Sequence, residues 1–216
     1  MAVPCLVVAG GFSSTYQRLR DVDCLPLRRR SSDARQAATG WRALPPLTKP
    51  RVGCSVAALH SGAVLVAGGA GDGSAELYET FGASAEQLAA APVGAGGGAW
   101  RLLPPMSEER SGARACTLGD GRVLVIGGLA KGGRVILESV ECFDPVAEAW
   151  SSLAPMFTGR VNFAACALPG GALSSALLAT GNRNAYDGTT LRNSLCLCVS
   201  VALSVCLSVC LSVCLS

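Results

Sequence analysis

The sequence predicts an all-β chain made of a repeated antiparallel unit, and three observations carry that expectation. Half of the 216 residues are hydrophobic, 15% are charged and 26 are glycine. That balance suits a folded, turn-rich domain and excludes disordered and collagen-like chains. Short apolar runs recur with glycine-bearing breaks between them, which is the pattern of strands joined by tight turns. Three tryptophans, Trp41, Trp100 and Trp150, are each followed by the same spaced residues. The net charge of +3 is too small for a chain that coats nucleic acid, so no nucleic-acid partner is expected.

The repeat reads as follows. After each tryptophan comes Leu at +3 (Leu44, Leu103, Leu153), Pro at +5 (Pro46, Pro105, Pro155), Leu or Met at +6 (Leu47, Met106, Met156) and Arg at +10 (Arg51, Arg110, Arg160). Copy one continues GCSVAAL, HSG, AVLVAGG, and copy two GARACTL, GDG, RVLVIGG. Each is a β-hairpin signal ending in a glycine pair, Gly68-Gly69 and Gly127-Gly128. Gly68 and Gly127 both lie 27 residues beyond their tryptophan. A third strand follows, bearing an aromatic (Tyr78, Phe143), and a fourth ends at the next tryptophan. In copy two the turn between them is Asp144-Pro145. Copy one instead carries an Ala/Gly-rich insertion, ASAEQLAAAPVGAGGGA, expected to be a surface loop.

The ends depart from this register. CLVVAGGF, with Gly10-Gly11, matches the second strand of the hairpin, but no first strand precedes it. DVDCLPL (residues 21–27) is the candidate third strand there, and the Arg28 to Arg30 run is expected in a solvated loop. After Arg160 the strand NFAACAL is intact, while the next segment is longer by three or four residues and reaches Gly181 followed by Asn182 rather than a second glycine. The division expected is a partial first repeat with an Arg-rich loop (1–40), two full repeats (41–149), a degraded partial repeat (150–194) and a low-complexity tail (195–216).

These motifs resemble the Kelch-repeat family over about residues 3–182: a glycine pair after an apolar strand, then an aromatic, then a tryptophan, at roughly the 50-residue Kelch period. The resemblance implies a β-propeller with one four-stranded blade per repeat. The chain is expected to form an incomplete Kelch-type propeller of about three to four blades, part of a larger propeller, with a non-globular hydrophobic tail.

The tail, Leu195 to Ser216, is uncharged and repeats Leu-Ser-Val-Cys. It admits three readings: a translated repeat of the nucleotides CTGT, a helix long enough to anchor the chain in a bilayer, or a β-prone element. A cytoplasmic location is expected because no basic residue precedes the apolar N-terminus as in a secretory signal; the alternative is a tail-anchored membrane protein. Five of the eleven cysteines lie in the tail. The other six form no C-x-x-C pair and read as small buried hydrophobes.

Catalytic and metal-binding patterns are sparse. The Kelch-like group that includes galactose oxidase needs two histidines for copper, and His60 is the chain's sole histidine. No phosphate-binding loop, dinucleotide fingerprint or sialidase-type Asp box occurs, so no catalytic residue, metal or cofactor is expected. The recurring Arg51, Arg110 and Arg160 are candidate partner-binding residues, a ring of guanidinium donors at one mouth of a channel suited to carboxylate-bearing peptides. The alternative is that each bonds loop carbonyls or an acid of a neighbouring blade. The expected function is a non-enzymatic protein-interaction module, a possible adaptor or scaffold. The alternative is part of a carbohydrate-active Kelch-type enzyme with catalytic residues outside this chain.

Overall fold

The computed structural model describes residues 5–26, 40–80, 98–167 and 177–180, all in strands, turns and bends. The first sheet has three antiparallel strands, β1 (Cys5–Ala9), β2 (Val22–Pro26) and β3 (Arg42–Leu44), in that order. The second has four, β4 (Ser55–Ala58), β5 (Val64–Ala67), β6 (Ala75–Thr80) and β7 (Gly98–Leu103), also in sequence order. The third repeats this meander with β8 (Arg114–Thr117), β9 (Val123–Ile126), β12 (Val140–Asp144) and β13 (Ala149–Leu153). A small hairpin of β10 (Leu129–Ala130) and β11 (Val135–Ile136) interrupts it after the glycine pair, and β14 (Ala164–Ala167) pairs with β15 (Leu177–Thr180).

Local sequence explains the meanders. VLVA in β5 and VLVI in β9 are rich in the β-branched and aliphatic residues that fit a pleated strand covered on both faces, and seven of these eight residues are buried. The hairpin turns before them close at Gly62 and Gly121, whose φ angles of 88° and 91° lie where a side chain would be strained. After β12, the Asp144 carboxylate accepts from the backbone N–H groups of Val146 and Ala147, and this Asx turn delivers the chain into β13.

Each sheet buries its faces against its neighbours. Val22 and Leu47 of the first pack on Val66 and Trp100 of the second. Leu77, Leu103 and Met106 of the second pack on Val123, Val125 and Trp150 of the third. Cys116, Ile126 and Val140 of the third pack on Phe163, Ala165 and Ala167 beside β14. Stacked four-stranded meanders of this kind are the blades of a propeller.

The described blades hold three, four, four and two strands, as the repeat pattern anticipated. The repeat boundaries differ from the sheets: Trp41, Trp100 and Trp150 lie at or in the last strand of a blade, so divisions at 41 and 150 follow the sequence period rather than the blades. The insertion's last two residues, Gly98 and Ala99, belong to β7, where they pair with Thr80 and Glu79. The β10–β11 hairpin was not anticipated; it lies between Gly127 and Phe143, which are 16 residues apart where Gly68 and Tyr78 are 10 apart. Residues 83–97, the Arg28 to Arg30 run, Gly181 and the 195–216 tail lie outside the described residues. Among the described residues no helix is long and apolar enough to cross a membrane.

Candidate functional site

Arg51 and Arg110 are not solvent-facing donors. Their side chains are 1% and 0% exposed, and each is held by matching acceptors inside its own blade. Arg51 donates from Nε to Glu76 Oε1 (2.9 Å), from Nη1 to the carbonyls of Gly68 (2.8 Å) and Ser74 (3.0 Å), and from Nη2 to Ser74 Oγ (2.8 Å). Arg110 donates from Nε to Glu141 Oε1 (3.0 Å), from Nη1 to the carbonyls of Gly127 (3.0 Å) and Ser139 (2.9 Å), and from Nη2 to Ser139 Oγ (2.8 Å). The second carboxylate oxygens accept from the backbone N–H of Thr48 (2.7 Å) and Ser107 (2.8 Å). A buried charge costs several kcal/mol unless paired and bonded this fully, so the two arginines pin the entry of each blade to its second and third strands. The expectation of a partner-facing ring is corrected for these two. Their nearest acids, Glu76 and Glu141, belong to the same blade, two residues before Tyr78 and Phe143.

The same arginines join successive blades through the main chain. Gly11 N donates to Arg51 O (2.8 Å), Gly69 N to Arg110 O (2.9 Å) and Gly128 N to Arg160 O (2.7 Å). The first glycine of each pair, with φ of 65°, 72° and 58° at Gly10, Gly68 and Gly127, lies where a Cβ would press on that carbonyl, at 2.5 Å for Gly10 and 2.6 Å for Gly127. Close approach, together with positive φ, explains why glycine occupies this position. Near Arg51, burial alone would raise the Asp72 carboxyl, but bonds from the Ser74 backbone and hydroxyl and the charges of Arg51 and Lys49 hold it below its ordinary value.

The aromatic residues are structural. Tyr78 faces Trp100 and Phe143 faces Trp150 across paired strands, with ring centroids 5.2 and 5.0 Å apart. The indole of Trp100 donates to Pro45 O (2.7 Å) and that of Trp150 to Pro104 O (2.8 Å), each acceptor on the preceding blade. Trp41 stands at the same register and is 53% exposed.

At the opposite ends of the strands from the arginines, a groove of about 660 Å³ runs between the second and third blades. Its apolar floor is Leu59, Ala63 and Leu77, and its rim is formed by His60, Glu79, Arg101, Asp120, Pro145 and Val146. Arg101 on β7 bridges the blades, donating to Glu79 Oε1 (3.1 Å) on β6 and to both carboxylate oxygens of Glu148 in the β12–β13 turn, at 3.0 Å from Nη1 to Oε2. These bonds, to Glu148 first and then Glu79, raise the Arg101 guanidinium above its ordinary value, and Arg101 in turn lowers the Glu148 carboxyl. Thr117 Oγ1 donates to Ala58 O (2.6 Å) along the same seam. Asp120 is bonded to Arg122 (2.8 Å) and Ser61 Oγ to the backbone N–H of Ala63 (3.4 Å). Among the described residues neither makes a hydrogen bond to His60, so no nucleophile–base relay is assembled. No group of three or more His, Cys, Asp or Glu among them could hold a metal ion.

The Kelch motif matches residues 110–157, from the arginine that enters the third blade to just beyond its tryptophan strand. Residues 110–157 are thus a Kelch repeat. A 70-residue stretch is 37% identical to influenza virus NS1A-binding protein homolog B of Danio rerio, covering 32% of this chain and 10% of that protein. The chain spans about a tenth of the length of the curated relative it matches. A fungal alcohol oxidase of the AA5 family, in complex with copper, superposes with a TM-score of 0.52 at 14% identity, over 68% of this chain and 30% of its own. That likeness speaks to the propeller fold alone.

Sequence reasoning missed the groove and the acceptors of the arginines. The acceptors had a signal: Ser-x-Glu-x-aromatic recurs as Ser74-Ala-Glu76-Leu-Tyr78 and Ser139-Val-Glu141-Cys-Phe143. A carboxylate on the inward face of a strand, repeated in register with an arginine, is a buried ion pair in waiting. The groove had no such signal, because its residues come from five separate turns and strands.

Proposed function

We propose that this chain is a non-enzymatic protein-binding module, an adaptor or scaffold element, whose partner seats in the groove between the second and third blades. The carrying observation is the groove itself: an apolar floor between two blades, rimmed by the Glu79–Arg101–Glu148 bridge and by turns that project from a rigid scaffold. Apolar contact with a few fixed polar groups is the make-up of a recognition site for a peptide segment. The relative from Danio rerio carries the name of an NS1A-binding protein, which supports a protein as the class of ligand. The six described cysteines outside the tail are free thiols, which fits a reducing compartment such as the cytoplasm.

The test is quantitative capture of partners by the full chain and by two variants that keep the blades intact. Val146→Lys places a charge on the groove rim, and Lys49→Ala alters the opposite end. Partners that are retained by wild type and Lys49→Ala, lost by Val146→Lys, and confirmed to bind as purified proteins support the reading. Equal retention by all three, or turnover on a panel of sugars that Val146→Lys abolishes, overturns it.

A further inference from the structure

The groove between the second and third blades carries an excess of negative charge at one point on its rim. Arg101 is shared by two carboxylates, Glu79 on β6 and Glu148 in the β12–β13 turn, so the three side chains together carry one net negative charge. Asp120 and Arg122 form a closed pair at 2.7 Å and cancel. Among the described residues Glu79 accepts only through Oε1, from Arg101, and its other oxygen is open to a further donor. Leu77 and Glu79 stand two apart on one face of β6, so this carboxylate follows directly on the apolar floor of Leu59, Ala63 and Leu77.

The fold does not demand this bridge. Arg51 with Glu76 and Arg110 with Glu141 recur from blade to blade. The position of Arg101, next after the tryptophan, is Arg42 in the first blade and Ser151 in the third, and that of Glu79, next after the aromatic, is Asp144 in the third. The Glu79–Arg101–Glu148 arrangement is therefore particular to the seam that holds the groove.

We propose that the groove selects a peptide segment in which a lysine or arginine adjoins a large apolar residue, an inference that rests on the groove being the partner site. The apolar side chain covers the Leu59–Ala63–Leu77 floor and the cationic group donates to the open oxygen of Glu79. An anionic partner must displace carboxylates already bonded to Arg101. A neutral one leaves both the net charge and the open oxygen unanswered, whereas an ammonium or guanidinium answers both. The aliphatic stem of either residue also suits an apolar surface that ends in a carboxylate.

A positional-scanning library of synthetic hexapeptides, captured on the immobilised full chain, reads the outcome. Wild type is expected to enrich Lys and Arg over Glu at one position beside Leu, Met or Phe, by up to about fivefold, the worth of one partly exposed ion pair. High salt is expected to erase that enrichment. Glu79 is 37% exposed, so changes there are expected to leave the blades intact, with circular dichroism unaltered. Glu79→Gln is expected to abolish the charge preference and keep the apolar one, and Glu79→Lys to turn the preference toward Asp and Glu. A preference for cations that Glu79→Gln leaves unchanged overturns the proposal, as does enrichment of acidic peptides by wild type. An apolar selection that Val146→Lys abolishes, with no preference for cations, also overturns it while the groove stands as the partner site. Capture of no peptide class overturns both readings.

Discussion

Arg110 and Glu141 form a buried pair in the third blade, Nε to Oε1 at 3.0 Å, with the other carboxylate oxygen closed by the Ser107 N–H at 2.8 Å. Arg51 and Glu76 repeat it in the second blade, there with the N–H of Thr48. Removing one member strands the other charge in the core. Glu141→Ala is expected to destabilise the chain by about 3–5 kcal/mol, whereas the double change Arg110→Met with Glu141→Leu is expected to recover most of the loss. Urea unfolding of the singles and the double separates these outcomes; a double no better than the Glu141 single contradicts the argument.

The glycine against each arginine carbonyl has its own consequence. Gly127→Ala places a methyl group 2.6 Å from Arg160 O and forces a side chain into φ of 58°. The expected cost is about 2–4 kcal/mol, the strain of the left-handed conformation plus the displaced carbonyl. Gly132→Ala, at φ of 64° with nothing within 4 Å of its Cβ, pays the backbone strain alone and is expected to cost about 1 kcal/mol. Thermal melts of the pair check the difference.

The Tyr78 hydroxyl is buried without a hydrogen-bond partner among the described residues, and burial raises its pKa. The third blade uses Phe143 at this register. Tyr78→Phe is therefore expected to leave the stacking on Trp100 intact and to gain about 1 kcal/mol by deleting an unsatisfied polar group. A loss of stability in chemical denaturation would show that the hydroxyl is bonded after all.

Acid should loosen the seam between the second and third blades. Hydrogen bonding from Arg101 lowers the Glu148 carboxyl below its ordinary 4.5. A depressed carboxyl contributes stability that is complete above its unfolded value and disappears as pH falls through the lower folded value. The unfolding midpoint of wild type should exceed that of Glu148→Gln at neutral pH, and the two should converge as the pH falls below the ordinary carboxylate value and through the lowered folded one. A gap that persists at low pH would assign the effect to packing rather than charge.

The period of the chain was legible because each blade must solve the same packing problem. A strand covered on both faces, a glycine where main chains touch and an indole over the preceding blade's ridge recur at fixed spacing, so Gly68, Gly127, Trp100 and Trp150 betray the blades before any coordinates are seen. The arginines were legible as a pattern but not as a role. Nothing in the spacing of Arg51 and Arg110 distinguishes a donor aimed at solvent from one aimed inward, because direction is set by where the third strand returns its Ser-x-Glu.

Local sequence alone determined the strands, the hairpin turns and the repeating register, since these depend on side-chain alternation and backbone freedom within a few residues. Tertiary structure decided the rest. It turned two arginines into buried latches by bringing Glu76 and Glu141 beside them from 25 and 31 residues away. It opened a groove where Arg101 reaches across 47 residues to Glu148. It left Val8 in solvent while burying its twin Val66, because burial depends on which blade stands alongside and not on the residue itself.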